Sequence, residues 1–289
     1  MQRKGTRTYL KDRLARLGIP FLVIWPLVMP VAFRPGRLNH ERVFGSEVPR
    51  LWEHWLESIM SSAGPLWFVW ILMIFSVLAS VWYRYRPEMG EWLRRRASRT
   101  FEGPWRFFGL LLDVSFAAYL PMAVVLGEGR WISLGPFDFQ VSRVLLYLTY
   151  FAFGVAVGAY GHDRAFLKSD GPLARRWWLW ALLALVLSAA SLFMGPAGLP
   201  LGCAFLVFAA IAVFVRFATR RIGVLDNLSE NAYGIYLLHY LFVGWLQWGL
   251  YDSGIPVPTQ GLLVFVGTVA LSWGVTAALR CISAVARVV

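Results

Sequence analysis

Long apolar runs recur along the chain and are separated by polar stretches, the longest of which is a predicted polar loop at 34–64. A helix needs about 20 consecutive apolar residues to cross the hydrocarbon core of a bilayer. Eight runs fit this pattern, at about 17–33, 65–83, 107–126, 141–160, 178–194, 199–217, 232–251 and 262–280. The pattern predicts an all-α fold, a polytopic membrane bundle of eight transmembrane helices that forms a single domain over residues 1–289.

Composition and charge distribution support this prediction. Hydrophobic residues make up 58% of the chain and charged residues 15%, against about 25% charged residues in a typical soluble domain. A net charge of +12 would point to nucleic acid in a soluble protein, but here the cations have a simpler explanation. Of the 28 Lys and Arg residues, 22 fall in loops on the side of the N-terminus and 6 on the other side. Because cytoplasmic loops carry excess Lys and Arg, we expect both termini in the cytoplasm and no nucleic-acid partner.

The basic start before the first apolar run is also a feature of secretory signal peptides. However, this run contains Pro20, Pro26 and Pro30 and lacks a small-x-small cleavage pattern. We therefore interpret it as an uncleaved membrane helix whose prolines are compensated by neighbouring helices. Cys203 and Cys281 lie in apolar spans and are interpreted as packing residues. The sequence has no Cys/His cluster with metal-ligand spacing, so no metal and no resident cofactor are predicted.

Two arginines, Arg13 and Arg16, lie three residues apart just before the first span, on one face of a predicted helix. Anchoring of the helix on the cytoplasmic side explains such a pair without further function. The functional alternative is an anion clamp, because paired guanidinium groups suit the phosphates of a nucleotide-like donor such as coenzyme A.

The seventh span carries a polar stripe within an apolar helix. Tyr236, Tyr240 and Gln247 share one helical face, and His239 lies close beside it. A buried His is most often a hydrogen-bonded structural residue, but a polar stripe favours a helix that lines a hydrated or sugar-containing cavity. In that setting His239 could act as a general base on a hydroxyl group.

Two further residues are candidates for lining this cavity. Asp113 lies about seven residues inside the third span, where a carboxylate is expected to face the bundle interior or water. It would pair with an arginine or hold a catalytic group. Trp67 opens the second span within an aromatic segment, Leu66-Trp67-Phe68-Val69-Trp70, for which an interfacial aromatic belt is a sufficient explanation.

Three segments together resemble motifs of the acyltransferase-3 family of bacterial inner-membrane acyltransferases. They are Arg13-Leu14-Ala15-Arg16 with the following Leu17-Gly18-Ile19-Pro20-Phe21, then Leu66-Trp67-Phe68, and Tyr233-Gly234-Ile235-Tyr236-Leu237-Leu238-His239. The resemblance implies transfer of an acyl group, such as acetyl or succinyl, from cytoplasmic acyl-CoA to a hydroxyl of an extracytoplasmic glycan or lipid-linked sugar. It places Arg13 and Arg16 on the donor side. Tyr236 and His239 then position groups or shape the cavity, and an inner-membrane location is expected.

The chain departs from the family pattern at its start. The family core has ten membrane helices and carries its catalytic His on the first, following an Arg about ten residues earlier. No residue here matches either position, so we expect the family's first two helices to be missing from this chain and the chain to be inactive as it stands. Pro65 stands where the family often has His. A glycan or lipid-precursor transporter or flippase, and a non-catalytic membrane partner, remain the alternatives.

Overall fold

The structure is a computed structural model that describes residues 5–45, 47–86, 88, 91, 95, 103–160, 167–219 and 221–289. The described part of the N-terminal half is helical. Its elements are α1 (Thr6–Arg13), a π-helical turn (Leu14–Gly18), α2 (Ile19–Phe44), α3 (Leu51–Ser61), a 3₁₀ turn (Gly64–Leu66), α4 (Trp67–Tyr85) and α5 (Pro104–Leu126).

The C-terminal half is also helical. Its helices are α6 (Val144–Tyr160), α7 (Pro172–Arg175), α8 (Trp177–Ser191), α9 (Gly198–Phe217), α10 (Gly223–Leu250), α11 (Val257–Arg280) and α12 (Ser283–Ala286). Two short strands, β1 (Trp131–Ile132) and β2 (Phe139–Gln140), form an antiparallel hairpin between α5 and α6. The loop of this hairpin reaches into the bundle.

The structure confirms the predicted all-α membrane bundle. Within the residues that the structure describes, six helical segments are long and apolar enough to cross a membrane, namely Thr6–Phe44, Leu51–Tyr85, Pro104–Leu126, Val141–Ala159, Gly195–Phe217 and Val257–Arg280. The predicted span at 178–194 corresponds to α8, which has only 15 residues. The predicted span at 232–251 lies almost entirely in α10, whose polar residues keep it outside the six. The number of eight spans therefore stays a prediction.

The region at 34–64 differs from the predicted polar loop. Helix α2 does not end near residue 33 but continues through Pro35 to Phe44, and Gly45 ends it with a left-handed φ of 64°. Helix α3 then folds back over it. A hydropathy pattern stops at the first polar residues, whereas a helical backbone continues as long as its hydrogen bonds are satisfied.

One hydrophobic core is formed by α5, α8 and α9, and is dominated by aromatic rings. Trp180 is fully buried at its centre. Its ring centroid lies 5.1 Å from that of Phe108 and 5.0 Å from that of Phe208. Phe205 closes the cluster at 4.6 Å from Phe108. These tilted ring contacts, together with the buried area, make this part of the bundle a packed scaffold.

A second core is formed by α2, α4 and α10. Its buried side chains include Phe21 and Met29 of α2, Val69 and Phe75 of α4, and Leu237 of α10. This core contains all three segments that resemble the family motifs. The candidate functional site therefore lies at the α2–α4–α10 core.

Two glycines of α10 allow neighbouring helices to approach closely. A Cβ at Gly234 would overlap the side chain of Thr276 on α11. A Cβ at Gly244 would lie 3.0 Å from the backbone oxygen of Ala32 on α2. Small residues at such crossings are a common feature of membrane helix interfaces.

Two ion pairs lie at opposite ends of the bundle. At one end Arg42 pairs with Asp252 at 3.1 Å, which joins the end of α2 to the segment after α10. At the other end Arg280 lies 4.0 Å from Glu230, at the start of α10. Much of the basic loops at 84–106 and 161–177 lies outside the described residues. The alternation of loops between the two sides of the membrane, which the Lys and Arg count assumes, stays a prediction. The cytoplasmic location of the termini stays a prediction as well.

Candidate functional site

The segment around Arg16 is held by Tyr233 of α10. The Tyr233 hydroxyl donates a hydrogen bond of 2.7 Å to the backbone oxygen of Arg16. Pro20, four residues further on, has no N–H and cannot donate to that carbonyl. The first tyrosine of the α10 motif thus satisfies a carbonyl group that a proline of α2 leaves without its helical donor.

The turn before α4 is held by the next tyrosine of the same helix. The Tyr236 hydroxyl donates a hydrogen bond of 2.5 Å to the backbone oxygen of Pro65. Pro65 belongs to the 3₁₀ turn that leads directly into Trp67. Helix α10 therefore bonds to the first motif segment at Arg16 and to Pro65, the residue directly before the second. The three segments meet in one place although they are far apart in sequence.

A third donor on α10 repeats this arrangement nearer the other end of the helix. The Trp245 indole N–H donates to the backbone oxygen of Val31 at 3.1 Å. Pro35 cannot donate to that oxygen, for the same reason as Pro20. Sequence analysis did not single out Trp245, although the four-residue spacing from Val31 to Pro35 was visible and marks a carbonyl that needs another donor.

His239 is half-buried and bonds within its own helix. Its Nδ1 lies 2.6 Å from the backbone oxygen of Tyr236. A carbonyl only accepts hydrogen bonds, so the neutral ring carries its proton on Nδ1 and its Nε2 is an acceptor. The ring lies 5.8 Å from the ring of Tyr236. This geometry orients the imidazole and leaves Nε2 as the chemically useful atom.

Arg13 and Arg16 are both exposed at the end of the bundle where α2 begins. The π-helical turn Leu14–Gly18 directly follows Arg13 and contains Arg16. The Arg13 guanidinium lies over the ring of Tyr9, 5.3 Å from its centroid. Single π-helical turns inside α-helices occur frequently at functional sites. Here the turn widens the helix at the predicted donor-binding pair.

The other predicted cavity residues are distributed unevenly. Trp67 is half-buried, and its ring packs near those of Trp131 at 5.7 Å and Tyr147 at 5.4 Å. The structure thus brings Trp67, Tyr236 and the backbone of Arg16 to one core, with His239 half-buried beside Tyr236 on α10. Asp113 instead is exposed on α5, which belongs to the other core, and Gln247 is exposed near the end of α10.

A polar cluster that sequence analysis passed over lies beneath α3. His54 is buried, and its Nε2 donates to the backbone oxygen of Pro30 at 2.8 Å. The Ser58 hydroxyl lies 3.5 Å from the same nitrogen. Among the residues that the structure describes, His54 Nδ1 has no hydrogen-bond partner. The sequence feature that could have identified this cluster is the i, i+4 spacing of His54 and Ser58 on a helix with bulky apolar residues on its other face.

The hairpin loop continues this cluster. The Ser62 hydroxyl donates to a carboxylate oxygen of Asp138 and accepts from the backbone N–H of Gly64 at 3.0 Å. Asp138 is 7% exposed, and its backbone oxygen accepts from the Trp70 indole at 3.2 Å. Phe137, the preceding residue, packs against α2. The hairpin loop therefore reaches into the α2–α4–α10 core.

The surface of the described part of the chain includes two cavities large enough for a small molecule. One, of about 330 Å³, lies between α2 and α3 and is lined by Phe33, Arg37, His54, Ser58 and Ser62 among others. The other, of about 400 Å³, is a groove of apolar side chains between α8 and α9. Within the described ranges, no three His, Cys, Asp or Glu side chains are grouped closely enough to hold a metal ion.

Comparison with known proteins gives one result that bears on this site. A search of curated proteins and a search of solved structures each returned no significant match. A comparison with protein families matches residues 1–277 to the acyltransferase domain of the acyltransferase-3 type. The match covers all three segments that α10 joins. The chain therefore belongs to the acyltransferase-3 family of membrane acyltransferases.

Proposed function

We propose that the protein is an O-acyltransferase that moves an acyl group from cytoplasmic acyl-CoA to a hydroxyl of an extracytoplasmic glycan or glycolipid. The observation that carries this proposal is the position of α10. Through Tyr233 and Tyr236 it holds both the arginine-bearing turn and the turn before Trp67. One helix thus connects the predicted donor end of the bundle with the turn at which α4 begins.

At the donor end, Arg13 and Arg16 bind the phosphates of coenzyme A. Both are exposed and lie next to a helix widened by a π turn. Guanidinium groups remain charged at all physiological pH values and form paired hydrogen bonds to phosphate oxygens. The thioester would then extend past Tyr233 along α10 toward His239.

The reaction is a direct transfer. The acceptor oxygen attacks the thioester carbonyl, a C–O bond forms, the C–S bond breaks, and coenzyme A leaves as its thiol after it takes up the proton lost by the hydroxyl. His239 Nε2 and Tyr236 shape the polar region where this happens. We do not assign the general base to His239, because its family counterpart has a supporting role, whereas the family's catalytic His has no match in residues 1–289.

The test is acylation by the full-length gene product in lipid nanodiscs, with labelled acetyl-CoA or succinyl-CoA and an envelope glycan fraction. Arg16→Ala should raise the KM for acyl-CoA roughly tenfold or more, the size expected for one lost charge-assisted hydrogen bond. Arg287→Ala, an exposed arginine near the C-terminus, is the matched control and should leave this KM unchanged.

Two outcomes would contradict the proposal. An unchanged donor KM and rate in Arg16→Ala would remove the donor clamp. Translocation of glycan or lipid precursor by the purified protein in vesicles, without acyl donor and without acylated product, would instead support a transporter or flippase.

A further inference from the structure

Helix α3 has its polar and apolar faces reversed relative to a soluble amphipathic helix. Its large apolar side chains point outward, with Leu51 72%, Trp52 60% and Met60 75% exposed. Its His54 and Ser58 are instead buried, at 3% and 5% exposed. An outward apolar face with tryptophan suits the interfacial region of a bilayer. The inward polar face then needs a polar environment within the protein.

Three contacts fasten α3 in this orientation against α2. Arg34 donates to the backbone oxygen of Pro49 at 2.9 Å, just before α3 begins. Arg37 pairs with Glu57 at 3.0 Å. His54 donates to the backbone oxygen of Pro30 at 2.8 Å. Bonds at both the start and the middle of α3 fix which face it presents inward.

The inward face borders the cavity of about 330 Å³ between α2 and α3. This volume lies at the lower end of the range for small-molecule pockets. One wall is the ring of Phe33, and the other is a row of hydroxyl groups that includes Ser58 and Ser62. An aromatic face opposite hydroxyl groups is a suitable environment for a sugar ring, which has both apolar C–H faces and hydroxyl edges.

Charge at the cavity argues for a neutral ligand. The guanidinium of Arg37 is paired with Glu57, so the two charges at the rim offset each other. Behind Ser62 lies the carboxylate of Asp138, which would repel an anion. Asp138 Oδ1 and His54 Nδ1 are buried and have no hydrogen-bond partner among the described residues. Buried polar groups of this kind are normally satisfied. Of the two residues, His54 lines the cavity, and its Nδ1 can accept a hydrogen bond from a sugar hydroxyl.

The cavity also lies close to the proposed reaction region on α10, because Phe33 lines the cavity and contacts that helix. The ring of Phe33 packs edge-to-face on Tyr240, at 5.7 Å, and Tyr240 follows His239 directly on α10. From this arrangement we propose that the cavity between α2 and α3 is the acceptor subsite. It holds one sugar unit of a neutral oligosaccharide, with His54 as a ligand-binding residue. This inference rests on the proposed acyl transfer for its biological role, and on the cavity alone for its binding chemistry.

The test measures binding without any acyl donor, so that it is independent of acyl transfer. In a background with Cys203→Ser and Cys281→Ser, Ser61→Cys places a single thiol at the exposed edge of the cavity. Spheroplasts are treated with a membrane-impermeant maleimide, with and without millimolar maltoheptaose. We expect labelling from outside, and protection by maltoheptaose but not by an anionic galacturonate oligomer.

The residue-level test uses His54→Gln. The Gln amide can replace the Nε2 donor to Pro30 but provides nothing at the position of Nδ1. Protection by maltoheptaose should then require about tenfold more sugar, whereas Met60→Ser on the outward face should leave it unchanged. Equal protection in His54→Gln and its parent, or no protection at all, would overturn the inference. Failure of acylation with intact protection would overturn only the proposed function.

Discussion

The two cores of the bundle are held together by different means. In the α5–α8–α9 core, Trp180 is surrounded by Phe108, Phe205 and Phe208, and the helices fit by ring packing. In the α2–α4–α10 core, tyrosine and tryptophan side chains donate to backbone carbonyls of other segments. The ring packing of the first core is sensitive to cavities but requires no particular hydrogen-bond donor. The second depends on individual hydrogen bonds and contains the family motifs. The scaffold and the site are therefore two different cores, with α6 packed against both.

Removing the central ring of the first core should have the largest effect on stability. Trp180→Ala leaves a cavity among three phenylalanines, and such substitutions typically cost about 3–5 kcal/mol. We expect a much lower thermal unfolding temperature in detergent, while the acyl-CoA KM of the protein that remains folded stays normal. Trp180→Phe is the control, with a smaller loss. A changed donor KM would show that the two cores are not separate.

A methyl group added to α10 at its contact with α11 should have an intermediate effect. Gly234→Ala drives a Cβ into Thr276, and overpacking of this kind costs about 1–3 kcal/mol. Because Gly234 lies beside Tyr233, both stability and donor KM should worsen. Gly274→Ala on α11, where a Cβ meets nothing within 4 Å, is the matched control. Partial recovery in Gly234→Ala with Thr276→Ala would confirm the steric cause.

The smallest effect should come from a single side-chain donor, and it tests the role of the prolines directly. Trp245→Phe removes the hydrogen bond to Val31 and should cost about 0.5–1.5 kcal/mol. In a Pro35→Ala background the new backbone N–H can reach Val31, so the same substitution should cost less. A double-mutant cycle on unfolding free energies measures this coupling. If Trp245→Phe and Pro35→Ala change the unfolding free energy additively, then Trp245 acts only through packing.

The sequence allowed the fold class, the family and the importance of the α10 motif to be predicted, because apolar run length and motif spacing are local properties. It did not allow the role of Tyr236 to be predicted. The helical stripe indicated a cavity, whereas the hydroxyl donates to Pro65, a partner that only tertiary structure provides. His54 was missed for a similar reason. Its helix has its apolar face outward, and the usual interpretation of amphipathic patterns assumes the opposite orientation in a soluble protein.

The hydrogen bonds between α2 and α10 also bear on how the protein is made. Tyr233 and Trp245 satisfy carbonyls that lie 217 and 214 residues earlier in the chain. During synthesis, α2 enters the membrane long before Trp245 exists. Its Val31 carbonyl, to which Pro35 cannot donate, is then a group that lipid cannot satisfy. Until α10 is inserted, this helix must remain near the insertion machinery, the interfacial water or a chaperone. The prolines thus make late assembly of the bundle a condition for stable insertion of α2.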